Sequence, residues 1–260
     1  MTALAGARVL VPRGGAWGER VAGELSRRGA HPVIAPLIRT APPRDTTARD
    51  AAFRRLADGD YEWLFVTSAA SVEQIAVFLS ASERTLPTSL RIAAVGQATA
   101  RAVADLGAHV DFVPLGRSSA QTMIAQWCAA HTAPSTGRCL VVRSDLAGAV
   151  VSDELELRGF AVDVCIGYRT VGIDLAPDVA ADLAAGRFAI VLLTSLSVGR
   201  ELRRQVGALP ASTLVASIGP GTTRDAERLG FVVGHTARTQ SIDALIAELD
   251  TLPRLQEVTR

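Results

Sequence analysis

Four short polar motifs follow predicted strands and precede predicted helices. They are Thr67-Ser68, Gly96-Gln97-Ala98-Thr99, Thr194-Ser195 and Gly219-Pro220-Gly221-Thr222. The carboxyl ends of parallel strands border the binding crevice of an open α/β sheet, so side chains at such turns can contact a ligand. The N-terminus of a helix favours anions at the same place. The motifs therefore predict that these turns bind an anionic ligand.

Helix capping is the alternative interpretation of these motifs. Ser and Thr hydroxyls accept hydrogen bonds from the unpaired N–H groups of a first helical turn, at about 1 kcal/mol each. Arg13 and Arg143 end two further predicted strands. Their guanidinium groups can bind ligand carboxylates, and surface ion pairs explain them equally well.

The motifs recur because the chain contains two similar halves. Residues 7–40 align without a gap with residues 137–170, and later blocks align at smaller offsets. The matched pairs are Arg13 with Arg143, Arg39-Thr40 with Arg169-Thr170, Thr67-Ser68 with Thr194-Ser195, Gly96 with Gly219, and Thr99 with Thr222. The blocks keep the same order, which predicts an internal duplication. The paired turns would then form two facing anion-binding rims.

Apolar runs alternate with amphipathic helical stretches along the whole chain. This alternation predicts an α/β fold of parallel sheets with helices on both faces. The predicted strands include His31–Ile38 and Val110–Pro114. A length of 260 residues with 48% hydrophobic residues is enough for two domains that each bury a core.

Composition excludes several classes of function. The chain contains no lysine, which excludes a Schiff-base lysine, a pyridoxal-phosphate anchor and a Walker phosphate-loop lysine. The formal net charge is +1, without the basic excess that is typical of nucleic-acid binders. The segment Arg13–Gly18 departs from the G-x-G-x-x-G motif of dinucleotide-binding proteins.

Three widely spaced cysteines, Cys128, Cys139 and Cys165, predict free thiols in a reducing compartment. Cysteine and histidine spacing fits no zinc site. We see no signal peptide at the N-terminus, and no apolar run is long enough to span a membrane. The sequence therefore predicts a cytoplasmic protein with neither nucleic acid nor membrane as a partner.

At these motifs the chain resembles the uroporphyrinogen-III synthase (HemD) family over nearly its whole length. The segments that carry the resemblance are FVTSAASVEQI, AAVGQATARAV, LVVRSDLAGAVVSDELELRGFAVDVCIGYRTV and ASIGPGTTRDAERLGF. Tyr168-x-Thr170 closes a β-α-β unit in the third. The family usually has proline after each Thr-Ser pair, where this chain has Ala69 and Leu196.

The resemblance implies two similar doubly wound parallel-sheet lobes with the working site in the cleft between them. One lobe would comprise residues 1–37 with 171–260, and the other residues 42–165. Two crossing strands, Pro36–Ala41 and Ile166–Val171, would form the hinge. The repeat alone would instead divide the chain near Pro134.

The resemblance also implies the reaction. Hydroxymethylbilane loses its terminal hydroxyl as water, ring D attacks through its substituted carbon, and a spiro intermediate recloses as uroporphyrinogen III with ring D inverted. The expected substrate-binding residues are Thr67, Ser68, Gly96, Thr99, Arg143, Ser195, Gly219, Thr222 and Arg13. Tyr168 is the candidate general acid, with a structural role at the hinge as the alternative. No metal or cofactor is expected.

The partners implied by the resemblance are the small-molecule substrate and, transiently, the preceding pathway enzyme, with the chain acting as a monomer. A two-lobed small-molecule-binding or regulatory protein without catalysis shares the fold and remains the alternative function. A periplasmic-type receptor would require an export signal. A nucleotide-binding enzyme would require an acidic residue after the second strand, where the chain has Ile38.

Overall fold

The computed structural model describes residues 3–132 and 137–253. The chain divides into two compact units, Met1–Arg39 with Val171–Arg260 (unit 1) and Thr40–Thr170 (unit 2). Pro134, near which the repeat alone would divide the chain, lies outside the described residues. The predicted two-stranded hinge stays a prediction.

The described residues form ten strands and ten helices, which alternate along most of the chain. In chain order they are β1 (Arg8–Val11), α1 (Gly15–Arg27), β2 (His31–Ile34), β3 (Ile38–Ala41), α2 (Thr46–Asp58), β4 (Trp63–Val66), α3 (Ala69–Ala81), β5 (Arg91–Ala94), α4 (Gln97–Asp105), α5 (Ala120–Ala130), β6 (Arg138–Ser144), α6 (Val150–Leu157), β7 (Ala161–Gly172), α7 (Pro177–Ala184), β8 (Ile190–Leu193), α8 (Leu196–Val206), β9 (Leu214–Ser217), α9 (Pro220–Arg228), β10 (Val233–Thr236) and α10 (Ile242–Leu249).

Unit 1 is built on a five-stranded sheet in the order β10-β9-β8-β1-β2. All four strand pairs are parallel. The central strand β8 is apolar and buried at every position, as expected for a parallel strand covered by helices on both faces. One core cluster includes Val9, Leu25 and Leu245, and a second includes Leu10, Phe188 and Leu202.

Unit 2 contains the second sheet, in the order β3-β7-β6-β4-β5. The pairs β4 with β5, β4 with β6, and β6 with β7 are parallel. All four residues of β4 are buried. One core cluster packs around Phe53 and Leu64, and the other around Phe65 and Trp127. The predicted α/β class with parallel sheets is confirmed.

Two predicted strands were wrong: one is divided in two, and the other is not a strand. His31–Ile38 is divided into β2 and β3, because Pro36 interrupts the run and proline has no N–H to donate to a strand neighbour. Val110–Pro114 is not a strand, and only Phe112 forms an isolated bridge with Ala93.

Strands that the repeat pairs in sequence occupy corresponding places in the two sheets. β8 lies beside β1 with β9 beyond it in unit 1, as β4 lies beside β6 with β5 beyond it in unit 2. Likewise β2 borders β1, and β7 borders β6. The shared order supports the predicted duplication, which stays a prediction.

Candidate functional site

The turn after β4 is held by hydroxyl groups that meet at one carbonyl. Ser68 is the N-cap of α3, and its Oγ accepts from Ser71 N at 3.1 Å. The hydroxyls of Thr67 and Ser71 both donate to Val142 O at 3.3 Å. Thr67 and Ser68, the two predicted site residues of this turn, are half-buried. Capping therefore accounts for Ser68, and it leaves the other first-turn amides of α3 without a side-chain cap.

The corresponding turn in unit 1 follows β8. Ser195 caps α8, with its Oγ accepting from Val198 N at 3.3 Å. The Oγ1 atom of Thr194, unlike that of Thr67, is buried without a hydrogen-bond partner among the described residues. A buried hydroxyl left unpaired costs about 1–3 kcal/mol. Thr194 was not among the predicted site residues. The difference in hydrogen bonding between its hydroxyl and that of Thr67 is visible only in the structure.

Gly96 is the N-cap of helix α4 and supplies no side-chain cap. The backbone of Gly96 is extended, so its lack of a side chain matters for space rather than conformation. A Cβ atom added there would lie 2.3 Å from Oγ and 2.8 Å from Cβ of Ser118. Thr99, in the first turn of α4, is only 4% exposed. The loop through Ser118 therefore lies directly against the predicted binding turn.

Helix α9 repeats this arrangement in unit 1. Gly219 is its N-cap without a side-chain cap, and the Ser217 hydroxyl donates to Gly219 O at 3.0 Å. A Cβ atom added to Gly219 would lie 3.2 Å from Cγ of Gln240. Thr222 is half-buried. The next residue, Thr223, shares a hydrogen bond of 2.7 Å with Thr236.

Tyr168 lies at a bulge in the pairing of β7 with β6. Arg143 is opposite Ile166 and Ser144 is opposite Tyr168, so Gly167 is the extra residue. A Cβ atom on Gly167 would lie 2.9 Å from Cγ1 of Val142, which explains glycine at this position. Bulges redirect the side chains that follow them. The half-buried Tyr168 side chain makes no hydrogen bond through its hydroxyl to a described residue.

The loop after β6 joins the backbone of Tyr168. Asp145 N donates to Tyr168 O at 3.2 Å, and the Asp145 carboxylate accepts from Thr170 N at 3.3 Å. Arg143 donates through Nη1 to Ala147 O. Its Nε is buried and, among the described residues, has no partner. Unit 2 thus brings Thr67, Ser68, Gly96, Thr99, Arg143 and Tyr168 to the carboxyl ends of its parallel strands.

Arg13 lies two residues after the end of β1 in unit 1 and is exposed. Its guanidinium carbon lies 5.2 Å from the ring centroid of Trp17. Within residues 3–132 and 137–253, no carboxylate forms an ion pair with Arg13 or Arg143. The surface ion pairs considered for these arginines are therefore absent from the described residues, which leaves both guanidinium groups without a carboxylate partner.

Two side chains that the sequence motifs missed hold the loops beside the glycine turns. In unit 2, Gln126 binds both backbone polar groups of Leu115. In unit 1, Glu248 accepts from Arg238 N at 3.1 Å and from His235 Nε2 at 3.0 Å. The alignment of residues 118–127 with 240–249 pairs Gln126 with Glu248. This pairing is the feature of the sequence that could have identified both residues.

Residues 3–132 and 137–253 contain no group of three His, Cys, Asp or Glu side chains that could hold a metal ion. In the same ranges, no helix combines the length and apolar character needed to cross a membrane.

The fold and the turns define an α/β protein of two parallel-sheet units with hydroxyl-bearing turns at their carboxyl edges. The sequence model of the family described as uroporphyrinogen-III synthase HemD matches residues 19–247. The chain belongs to this family. It is 27% identical over 267 residues to the uroporphyrinogen-III synthase of Synechococcus elongatus, covering 96% of this chain and 97% of that protein.

A second relative, the uroporphyrinogen-III synthase of Proteus mirabilis, is 26% identical over 166 residues, covering 64% of this chain and 81% of the relative. Two solved structures share the fold. A variant synthase of Thermus thermophilus aligns with TM-score 0.63 and 17% identity, covering 93% of this chain and 96% of that one. The Helicobacter pylori synthase aligns with TM-score 0.60 and 14% identity, covering 94% and 97%.

Proposed function

We propose that the chain acts as a uroporphyrinogen-III synthase, a lyase of tetrapyrrole and haem biosynthesis. It would convert hydroxymethylbilane to uroporphyrinogen III with loss of water and inversion of ring D. The observation that carries this proposal is the family match over residues 19–247, which includes residues of both units.

The task of such an enzyme is mainly conformational. Loss of the terminal hydroxyl leaves an electrophilic azafulvene on ring A, and simple closure at the free end of ring D gives the symmetrical isomer. The type III isomer requires attack through the substituted carbon of ring D. Holding the chain so that this carbon is the nearer one directs the reaction, because positioning alone can lower a barrier by several kcal/mol.

The polar turns at the carboxyl edge of each unit supply groups that bind carboxylate arms. The N-caps of α4 and α9, Gly96 and Gly219, supply no side-chain cap. The N–H groups of these first turns, except at Pro220, which has none, are therefore available to an anion. The hydroxyl of Thr194, unpaired among the described residues, is a further donor. Arg13 and Arg143 would add charge-assisted hydrogen bonds.

Tyr168 is the proposed general acid for departure of the hydroxyl group. A tyrosine hydroxyl can donate its proton to a leaving oxygen. The bulge at Gly167, and a hydroxyl that no described residue engages, support this role. A structural role for the ring is the alternative that substitution would reveal.

We further propose that the chain works as a monomer in the cytoplasm, with transient contact to the enzyme that supplies its unstable substrate. Three free and buried cysteines support a reducing compartment. Light scattering on the purified chain would report its mass in solution.

The product isomer tests the proposed function. Purified protein would be incubated with freshly made hydroxymethylbilane, and the oxidised products separated by chromatography. We expect the type III isomer in excess, and only the symmetrical isomer with heat-inactivated protein. A protein that only binds small molecules or regulates would leave the symmetrical isomer as the product in both samples.

A further inference from the structure

Unit 2 contains a cavity of about 460 Å³ between strand β7 and the beginning of helix α2. Three arginines, Arg44, Arg49 and Arg169, line it together with Asp45 and Asp145. None of the site residues predicted from the sequence does so. The volume lies within the range of about 300–1,000 Å³ that small-molecule sites occupy. The cavity can therefore hold a small organic group, but not a whole tetrapyrrole.

Two of the three guanidinium groups are available to a ligand. Arg44 is exposed and makes no hydrogen bond or ion pair within the described part of the chain. Arg169 donates through Nε to Pro42 O at 2.9 Å, which orients the group and leaves both terminal nitrogens without a described partner. Arg49 instead pairs with Asp50 at 2.7 Å. Arg44 and Arg169 are thus the residues that can bind a carboxylate.

The two carboxylates of the cavity are each held by one backbone amide. Asp45 accepts from Ala48 N at 2.9 Å as the N-cap of α2. Asp145 accepts from Thr170 N at 3.3 Å. In each case a single carboxylate oxygen makes the contact, and no described donor uses the other. The cavity therefore offers acceptors for an N–H group as well as guanidinium donors.

The wall formed by β7 is apolar. Val164, Cys165 and Ile166 line it, and burial raises the pKa of the Cys165 thiol to about 12. The thiol is therefore neutral at physiological pH. An apolar wall beside two arginines and two acceptors suits a flat ring that carries both carboxylate arms and an N–H group.

We propose that this cavity binds one pyrrole ring of the substrate, with its acetate and propionate arms on Arg44 and Arg169. The pyrrole N–H would donate to Asp45 or Asp145, and the ring would lie on the apolar wall. The inference rests on the proposed function, because that function supplies a carboxylated pyrrole as ligand. Inorganic phosphate, which has neither ring nor pyrrole N–H, fits only the arginines.

The cavity adjoins the part of β7 that carries the candidate acid. Asp145 lines the cavity, and its backbone N donates to Tyr168 O at 3.2 Å. A ring bound there would be placed next to Tyr168 along β7. Arg44 and Arg169 would then act as substrate-binding residues that fix the position of one ring, from which the rest of the chain of rings extends.

A small probe tests the cavity directly. The probe is a monopyrrole with one acetate and one propionate arm, added to the full chain with isotope-labelled Val and Ile methyl groups. We expect the Val164 and Ile166 methyl signals to shift. Arg44→Gln and Arg169→Gln should each weaken probe binding about tenfold, which is the loss of one charge-assisted hydrogen bond. Arg169→Lys, which keeps the charge, should lose less.

The control is Arg54→Gln, which removes the same charge from an exposed position of α2 that does not line the cavity. It should bind the probe like the parent chain. In assays with hydroxymethylbilane, Arg44→Gln and Arg169→Gln should raise KM about tenfold and leave kcat within about twofold, since they remove binding common to ground and transition states.

The outcomes separate this inference from the proposed function. Probe binding with the expected arginine dependence supports the cavity as a pyrrole site even if the chain makes no type III isomer. Formation of type III with unchanged KM in both arginine variants overturns the inference and leaves the proposed function intact. Equal shifts with inorganic phosphate alone also overturn it, because the cavity would then recognise any anion.

Discussion

The side-chain amide of Gln126 holds the backbone of Leu115 at two points. Oε1 accepts from Leu115 N at 2.8 Å, and Nε2 donates to Leu115 O at 3.0 Å. Leu115 begins the loop that places Ser118 against Gly96. Helix α5 therefore fixes the loop that covers one of the predicted binding turns.

Gln126→Leu should loosen this loop. The substitution removes both hydrogen bonds, each worth about 0.5–1.5 kcal/mol, so we expect the free energy of unfolding to fall by about 1–3 kcal/mol. Urea denaturation measures this change, and hydrogen exchange at the Leu115 amide should become faster. Gln121→Leu, at an exposed position of the same helix, is the matched control. Equal midpoints for the two variants would contradict a clamping role.

Gly96→Ala should disturb the turn through steric overlap. The added Cβ would lie 2.3 Å from Ser118 Oγ, whereas the equivalent atom on Gly219 would meet Gln240 Cγ at 3.2 Å. Overpacking of this kind costs about 1–3 kcal/mol. We therefore expect a lower thermal midpoint for Gly96→Ala than for Gly219→Ala, measured by circular dichroism.

Ser118→Gly supplies the control for this overlap, because it removes the two closest atoms. The double variant Gly96→Ala with Ser118→Gly should recover most of the stability lost in Gly96→Ala, relative to Ser118→Gly alone. Strictly additive losses would show that the contact with Ser118 is not the cause.

Alkaline pH should destabilise the chain through its buried thiols. Burial raises the pKa of both Cys139 and Cys165 from 9.0 to about 12. The stabilisation that comes from burying these protonated thiols is fully present below about pH 9, because the folded and the unfolded chain both keep the thiol protons there. It is lost as pH rises from about 9 to about 12, since only the unfolded chain releases protons, at about 1.4 kcal/mol per pH unit for each thiol.

Urea unfolding at about pH 8 and about pH 10.5 measures this dependence. No lysine titrates in this range, because the chain has none. The double variant Cys139→Ala with Cys165→Ala should show a distinctly smaller loss of unfolding free energy between the two pH values. The same loss in parent and variant would mean that the thiols do not cause it.

The alternation of apolar and amphipathic segments was enough to predict the α/β class. It was not enough to place Pro36, where an apolar run that reads as one strand becomes β2 and β3. Segment Val110–Pro114 lies along β5, with Asp111 N donating to Ile92 O at 2.9 Å and Ala94 N donating to Phe112 O at 2.9 Å, yet only Phe112 forms a β-bridge. The Asp111 carboxylate, rather than a backbone carbonyl, accepts from Ile92 N at 2.8 Å. Local pattern does not report that a side chain takes the place of a backbone partner.

Part of the candidate site was also predictable, since hydroxyl and glycine turns stand directly after apolar runs. The cavity residues Arg44 and Arg169 were not, because they are far apart in sequence and meet only through the tertiary fold. The bulge at Gly167 likewise depends on the register of β6 against β7, which no single segment encodes.

Tyr168→Phe tests the general acid. It removes one hydroxyl and keeps the ring, so we expect about a tenfold slower reaction, equivalent to about 1.4 kcal/mol of barrier. Product affinity should be nearly unchanged and the product still mainly type III, because ring placement does not depend on that hydroxyl. An unchanged rate would assign Tyr168 a structural role. A fast variant that forms mostly the symmetrical isomer would assign it to the positioning of ring D.

The central claim is that this chain turns ring D over during closure. The most direct measurement uses hydroxymethylbilane labelled with ¹³C at the methylene carbon between rings C and D. Carbon NMR of the product then reports which side of ring D bears the labelled carbon. We predict that the label moves to the side that was free in the substrate, as inversion requires. A label that keeps its original side in the presence of active, folded protein would contradict the account.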